Sequence, residues 1–150
     1  MRNKILKILL LILGISFIIY FSKNLPFGPG IHDFDKKLTG NYKLYRMSSN
    51  AIFIAPKDGW GDGIAIIPEK VIKINEYENY IIAERQELKR RSPNDTTDTY
   101  LIPDESRSNY WILDTENNYT FKNLNIHQLK IKLDSLEIPA QIKLIDVYKY

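Results

Sequence analysis

The sequence predicts an α+β protein: a mostly antiparallel β-sheet meander with one C-terminal α-helix packed on a face, preceded by an N-terminal transmembrane helix. Three observations predict it. The chain opens on an apolar run flanked by basic residues; its middle is a succession of short alternating segments; and one late segment repeats its apolar residues at helical spacing.

Residues 1–23 form the membrane anchor or signal segment. Ile8 to Phe21 is an unbroken, mostly apolar run, and Ile5 and Leu6 extend it past Lys7. From Ile5 to Phe21 it reaches the lower limit of roughly 17 residues that cross a bilayer, with Lys7 snorkelling to the interface. Tyr20 and Phe21 suit the aromatic belt. Arg2, Lys4 and Lys7 before the run, against Lys23 after it, place the N-terminus in the cytoplasm and the rest of the chain outside. A cleaved secretory signal has the same basic start and apolar middle. Cleavage, however, wants small residues at the −3 and −1 positions, and Ile18 to Asn24 offers no such pair. The expectation is a single-pass anchor in the cytoplasmic membrane, the alternative being secretion after signal cleavage. Residues 24–30 follow as a linker, because two prolines and two glycines exclude a helix or an inner strand.

Residues 31–150 are the extracytoplasmic β-rich domain. Tyr, Ile, Asn and Lys are frequent there, and β-branched and aromatic side chains fit a pleated, half-buried surface. The length allows one modest core. Tyr42 to Met47 and Ala51 to Ala55 read as strands joined by Ser48-Ser49-Asn50. Ile64 to Ile67 and Val71 to Ile74 follow, and Ile72 and Ile74 share a face in the second of these. Tyr80 to Leu88 starts apolar and turns polar, as a strand does when it runs out past the sheet, and Tyr110 to Asp114 has the same character. Gln141 to Tyr150 closes the chain as a strand, with Ile142 and Leu144 on alternate positions. Between them, Ile126, Leu129, Leu133 and Leu136 are spaced as a helix face. Asn125 and Gln128 can form a capping box, Leu124 and Leu129 a hydrophobic staple, and Pro139 stops the helix. The stretch from Lys89 to Asn109 is polar apart from Tyr100, Leu101 and Ile102, and is expected to be a long loop. Its basic cluster Lys89-Arg90-Arg91 has Asp95, Asp98, Asp104 and Glu105 near enough to neutralise it.

Charge and composition limit the chemistry. The chain carries +3, but four of its 21 basic residues precede position 31, where there is no Asp or Glu; the domain keeps 17 basic against 18 acidic side chains. A nearly neutral domain has no field to draw in a phosphate backbone, so no nucleic acid is expected. With no cysteine, the chain has no disulfide, no thiolate metal site and no Cys nucleophile. His32 and His127 are the only histidines, no Gly-x-Ser-x-Gly elbow surrounds a serine, and no His pair offers a zinc site. No catalytic residue, cofactor or metal is assigned. Carboxylate pairs are the remaining enzymatic option, with Glu84, Glu87, Asp104, Asp114 and Glu116 as candidates by type. Asp58-Gly59-Trp60-Gly61-Asp62-Gly63 has local character as a glycine-rich turn. It lacks EF-hand spacing, so Asp58, Trp60 and Asp62 are taken as a candidate interaction loop rather than a calcium site.

Asp33-Phe34-Asp35 with Leu38, and Gly40-Asn41-Tyr42-Lys43-Leu44-Tyr45-Arg46-Met47-Ser48-Ser49, are similar to the opening of an uncharacterised bacterial family of small membrane-anchored or lipoprotein domains of unknown function. Tyr80-Ile81-Ile82-Ala83, Tyr110 to Thr115 and Phe121 to Pro139 resemble its later strands and closing helix. The chain departs from that family in lacking a lipid-bearing cysteine and in its longer polar stretch at 89–109. The resemblance implies architecture and location and carries no catalytic residues. The functional expectation is a non-enzymatic, membrane-tethered interaction domain of the bacterial cell envelope with an envelope protein as partner, an immunity-type protein being a special case. The alternatives are a carboxylate-based enzyme on envelope polysaccharide, with Glu84 and Asp114 as first choices, and a small-ligand or calcium-binding module.

Overall fold

A computed structural model describes residues 33–150 apart from Trp60 and Ala65. The expected helix at 5–21, the linker at 24–30 and His32 lie outside the described residues. Among the described residues no helix is long and apolar enough to cross a membrane.

The domain is α+β with antiparallel sheets and a C-terminal helix. Strands β1 (Phe34–Lys37), β2 (Tyr42–Arg46) and β3 (Ile52–Pro56) form a three-stranded sheet in that order. Strands β4 (Val71–Tyr77), β5 (Tyr80–Arg90), β6 (Leu101–Asp114) and β7 (Tyr119–Leu124) form a second sheet, edged by the short β8 (Ile145–Asp146), in the order β7-β6-β5-β4-β8. Within each sheet, the strands from β1 to β3 and from β4 to β7 pair antiparallel with their neighbours in sequence, as short connections require.

The larger sheet is covered on both faces, which the expectation of one sheet with one core did not foresee. Ile81 and Ala83 on β5, with Trp111 and Leu113 on β6, point into a cluster shared with Leu44, Ile52 and Ile54 of the smaller sheet. Ile82 and Ile112, one residue out of phase, point the other way and pack on Leu129 and Leu133 of helix α1 (Ile126–Ser135). A strand buried on both faces needs an apolar residue at every position, and Ile81-Ile82-Ala83 and Trp111-Ile112-Leu113 meet that need. Each fully buried Ile or Leu stabilises the fold by about 1.5–3 kcal/mol.

Helix α1 begins as its sequence predicts. The Asn125 side chain accepts from the Gln128 amide at 2.9 Å, and the Gln128 side chain accepts from the Asn125 amide at 2.9 Å. Leu124 joins Leu129 in the helix-side cluster, closing the staple. The C-terminal stop is set before Pro139. The Ile138 amide donates to the Leu133 carbonyl at 2.9 Å and the Glu137 amide to that of Asp134 at 3.1 Å, with Glu137 at φ 57°. This is a Schellman motif with Glu where glycine is usual, and Ile138 meets Leu133 in the same cluster. Ile126, expected on the apolar face, is 53% exposed.

Other expectations are corrected. The stretch 89–109 is mostly a two-stranded arm: β5 runs on to Arg90, β6 starts at Leu101, and Glu87↔Asp104 through Arg90↔Leu101 are paired. Glu105, Ser106 and Arg107 bulge from β6, since Ser108 pairs with Gln86 and Asp104 with the next residue, Glu87. The arm passes beyond the pairing with β4 and β7, so neither of its faces has an apolar layer to meet; its sequence is mostly polar, and Leu88, Leu101 and Ile102 are only half-buried or exposed. Lys89 pairs with Asp104 at 3.3 Å and Arg91 with Asp98 at 3.0 Å. A bulge between Val71 and Lys73 resets the phase of β4, so Val71 and Ile74 are the two buried residues and Ile72 is not their companion. Among the described residues of Ile64 to Ile67, the one pairing is the bridge Ile54↔Ile67. Of Gln141 to Tyr150, only Ile145 and Asp146 are strand. Ile142 and Leu144 pack on the helix side of the larger sheet, while Val147 and Tyr150 pack on the other, so the C-terminal segment wraps around the β4 edge. Strands β1 and β7 were not among the strands expected from alternation; β1 has a single apolar residue, and in β7 only Tyr119 and Phe121 alternate.

Candidate functional site

The loop singled out by its glycines leaves β3 at the surface. Asp58 is exposed and accepts from the Asn41 side chain at 2.8 Å, which ties the loop to the turn at Thr39–Asn41. Gly59 and Gly63 have φ of 97° and 80°, and Asp62 is exposed. Trp60, its proposed contact residue, lies outside the described residues. Among the described residues, no three His, Cys, Asp or Glu side chains gather as a metal site.

The candidate carboxylates are engaged in structural bonds. Asp114 is 7% exposed, and one carboxylate oxygen accepts from the amides of Glu116 and Asn117 at 3.1 and 3.0 Å. The other accepts from the Asn117 side chain at 2.9 Å. Burial raises its pKa, but these bonds and the Asn79 amide outweigh burial and leave it lowered. Asp114 thus caps the β6–β7 turn. Asn79 also donates to Glu116 at 3.2 Å. Glu87 accepts from Asn109 at 3.4 Å, and Asn109 in turn accepts from the buried Trp111 indole at 2.9 Å. Asp104 accepts from Ser106 at 2.7 Å within the bulge. Glu84 lies opposite Tyr110, and Asp114 opposite Tyr80. These positions are four residues apart along the ladder, or about 13 Å at the usual rise per residue. Paired glycosidase carboxylates stand about 5–9.5 Å apart, so Glu84 and Asp114 are not such a pair. His127 is exposed in the first turn of α1.

What the structure does bring together is a row across the larger sheet. Lys73 is opposite Asp146 and Glu84, Glu84 is opposite Tyr110, and Tyr110 is opposite Leu124. Residues directly opposite each other share a face, here the one that carries α1. Lys73 donates to Glu84 at 2.8 Å, with 45% of the lysine side chain exposed but only 12% of the glutamate. The hydrogen bond to Glu84 raises the Lys73 pKa; burial, and after it the charge of Glu84, raises that of Tyr110.

Between this row and α1 lies a groove of 410 Å³. Its walls are Ile82, Leu129, Leu133, Ile142 and Leu144, and Lys73, Glu84 and Tyr110 form its polar end. Ile126, Lys130 and Lys143 stand exposed at its rim. Such a hollow is of ligand-site size, apolar with a few convergent polar groups. A larger hollow of 680 Å³ between Gly63–Ile64 and β7 has mostly polar walls, with Asn118, Thr120 and Lys122 among them. It gathers no comparable set of polar groups onto an apolar wall. The groove is therefore the better candidate.

Sequence reasoning missed this site because its residues come from five segments between Lys73 and Leu144. One local signal was present: Lys73 interrupts Val71-Ile72-Lys73-Ile74, and a lone charge in a buried strand requires a partner.

No curated protein and no solved structure matches the chain. A family described as "Protein of unknown function (DUF3997)" matches residues 39–148, from the first turn to the C-terminal wrap. The chain belongs to this family of unknown function.

Proposed function

We propose that the chain is a non-enzymatic binding domain of the bacterial cell envelope, tethered to the outer face of the cytoplasmic membrane through residues 5–21. The tether rests on the sequence: an apolar run of spanning length with basic residues mostly on its N-terminal side. The observation that carries the binding role is the groove between α1 and the larger sheet, apolar in its walls with the Lys73–Glu84 pair and Tyr110 at one end. The candidate carboxylates favour binding over turnover, since each is bonded to its own surroundings and the two first choices lie too far apart to act together. An immunity-type protein, holding a toxin off within the envelope, is one form of such a domain.

The test is a photoreactive benzoylphenylalanine at Ile126, compared with the same residue at Asn94, irradiated in intact cells. Ile126 is on the groove rim and Asn94 on the exposed tip of the arm. A cross-linked species that forms at position 126 and not at 94 is the expected result. Equal background at both positions would remove the groove as the binding site.

A further inference from the structure

We propose that the groove binds a long-chain fatty acid, with its tail between α1 and the sheet and its carboxylate at the rim beside Lys130 and Lys143. The inference deepens the binding reading above and rests on it.

Size selects a small ligand. A stable protein interface needs about 800 Å² from each partner, whereas a concavity of 410 Å³ is within the range of small-molecule sites. The walls select hydrocarbon: Ile82, Leu129, Leu133, Ile142 and Leu144 offer nothing for a polar chain to bond. Charge selects and orients the head. Lys130 and Lys143 are exposed at the rim, and their ammonium groups have no carboxylate partner among the described residues. Lys73, by contrast, is already paired with Glu84. A carboxylate pushed to the polar end would meet the Glu84 charge, with the Lys73 ammonium already engaged there. At the rim it meets two free lysines. A ligand with one anionic end and one apolar chain matches the lysines at the rim and the apolar walls beneath them. The bilayer to which the domain is tethered in this reading is a source of such molecules.

The full chain in phosphatidylcholine nanodiscs would be irradiated with palmitate carrying a mid-chain diazirine, and adducts mapped by peptide mass spectrometry. Adducts are expected within residues 126–133 and 140–144. A tenfold excess of plain palmitate should suppress them, and hexadecanol, which has the same tail without the charge, should compete at least tenfold less well. Labelling should fall fivefold or more in K130E/K143E and persist in K130R/K143R, which keeps the charge and controls for folding. Label confined to residues 5–21, equal competition by hexadecanol, or unchanged labelling of K130E/K143E would overturn the fatty-acid assignment. If the groove takes no palmitate but the Ile126 probe still captures a protein or a second copy of this chain, the assignment falls and the binding role of the groove stands. If neither probe marks the groove, both fall.

Discussion

A methyl group at Gly40 would lie 2.1 Å from Cβ of Thr115, and Gly40 itself holds φ 62°. That contact fastens the turn between β1 and β2 onto the β6–β7 turn, where the Thr115 hydroxyl also donates to the Asn79 carbonyl at 2.8 Å. Gly40→Ala combines a left-handed backbone with an overpacked contact and should destabilise the domain by about 2–4 kcal/mol in urea unfolding. At the other extreme, Glu137 bears a side chain where the helix stop favours none; Glu137→Gly should stabilise by about 0.5–1 kcal/mol. An unchanged midpoint would mean that Glu137 is not held left-handed in solution. Asp114 links the fold to pH. Its pKa is depressed in the folded state, so its contribution is complete above the unfolded value of about 3.9 and is lost as pH falls through the lower folded value. Stability should therefore drop below about pH 4. Asp114→Asn, whose one oxygen can still accept from the Glu116 and Asn117 amides but whose NH2 would face the Asn117 side-chain donor, should flatten that drop and destabilise by about 1–3 kcal/mol at neutral pH. None of these three roles was legible from the residue alone. Asp114 entered as a catalytic candidate by type, and only the loop around it shows that its oxygens are already in use.

Among the elements, α1 was the most legible, because its signals are local: a capping box within four residues and a staple that spans the cap. Leu133 is 3% exposed at the centre of the helix-side cluster. Leu133→Ala should destabilise by about 2–5 kcal/mol, and Leu133→Asp should unfold the domain as judged by circular dichroism. The arm was the least legible. Strand pairing there is sustained without burial, and a period-two apolar pattern appears only where a face meets a core. Its ladder should accordingly open on its own. Amide exchange in Glu87–Arg90 and Leu101–Asp104 should be orders of magnitude faster than in Tyr80–Gln86 and Ser108–Asp114. Equal protection of the two halves would show that the arm is covered by something. Strand β4 failed for a different reason: a single bulge shifted the phase, so counting by two put Ile72 where Val71 lies.

For the whole molecule, the apolar runs Ile81-Ile82-Ala83 and Trp111-Ile112-Leu113 stand in the sequence as the mark of strands buried on both faces, but the expectation drawn from them was one sheet with one core. What covers the second face could not be read, since β1 is four residues long and pairing between distant segments leaves no local pattern. The groove is of the same kind. It exists because the chain leaves α1, turns at Pro139–Ile142, and wraps the β4 edge, bringing Lys143 and Leu144 beside a helix and a strand distant in sequence. The family match at residues 39–148 spans this whole arrangement and stops short of the apolar run at 5–21. Location is therefore the claim on which the binding role most depends. The chain has no cysteine, so one placed at exposed Asn94 is a unique reporter. Intact cells carrying Asn94→Cys would be treated with a membrane-impermeant, mass-tagged thiol reagent. Labelling of a full-length, membrane-bound product is the predicted result; labelling of a shortened soluble product, or labelling only after lysis, would contradict an outward, tethered domain.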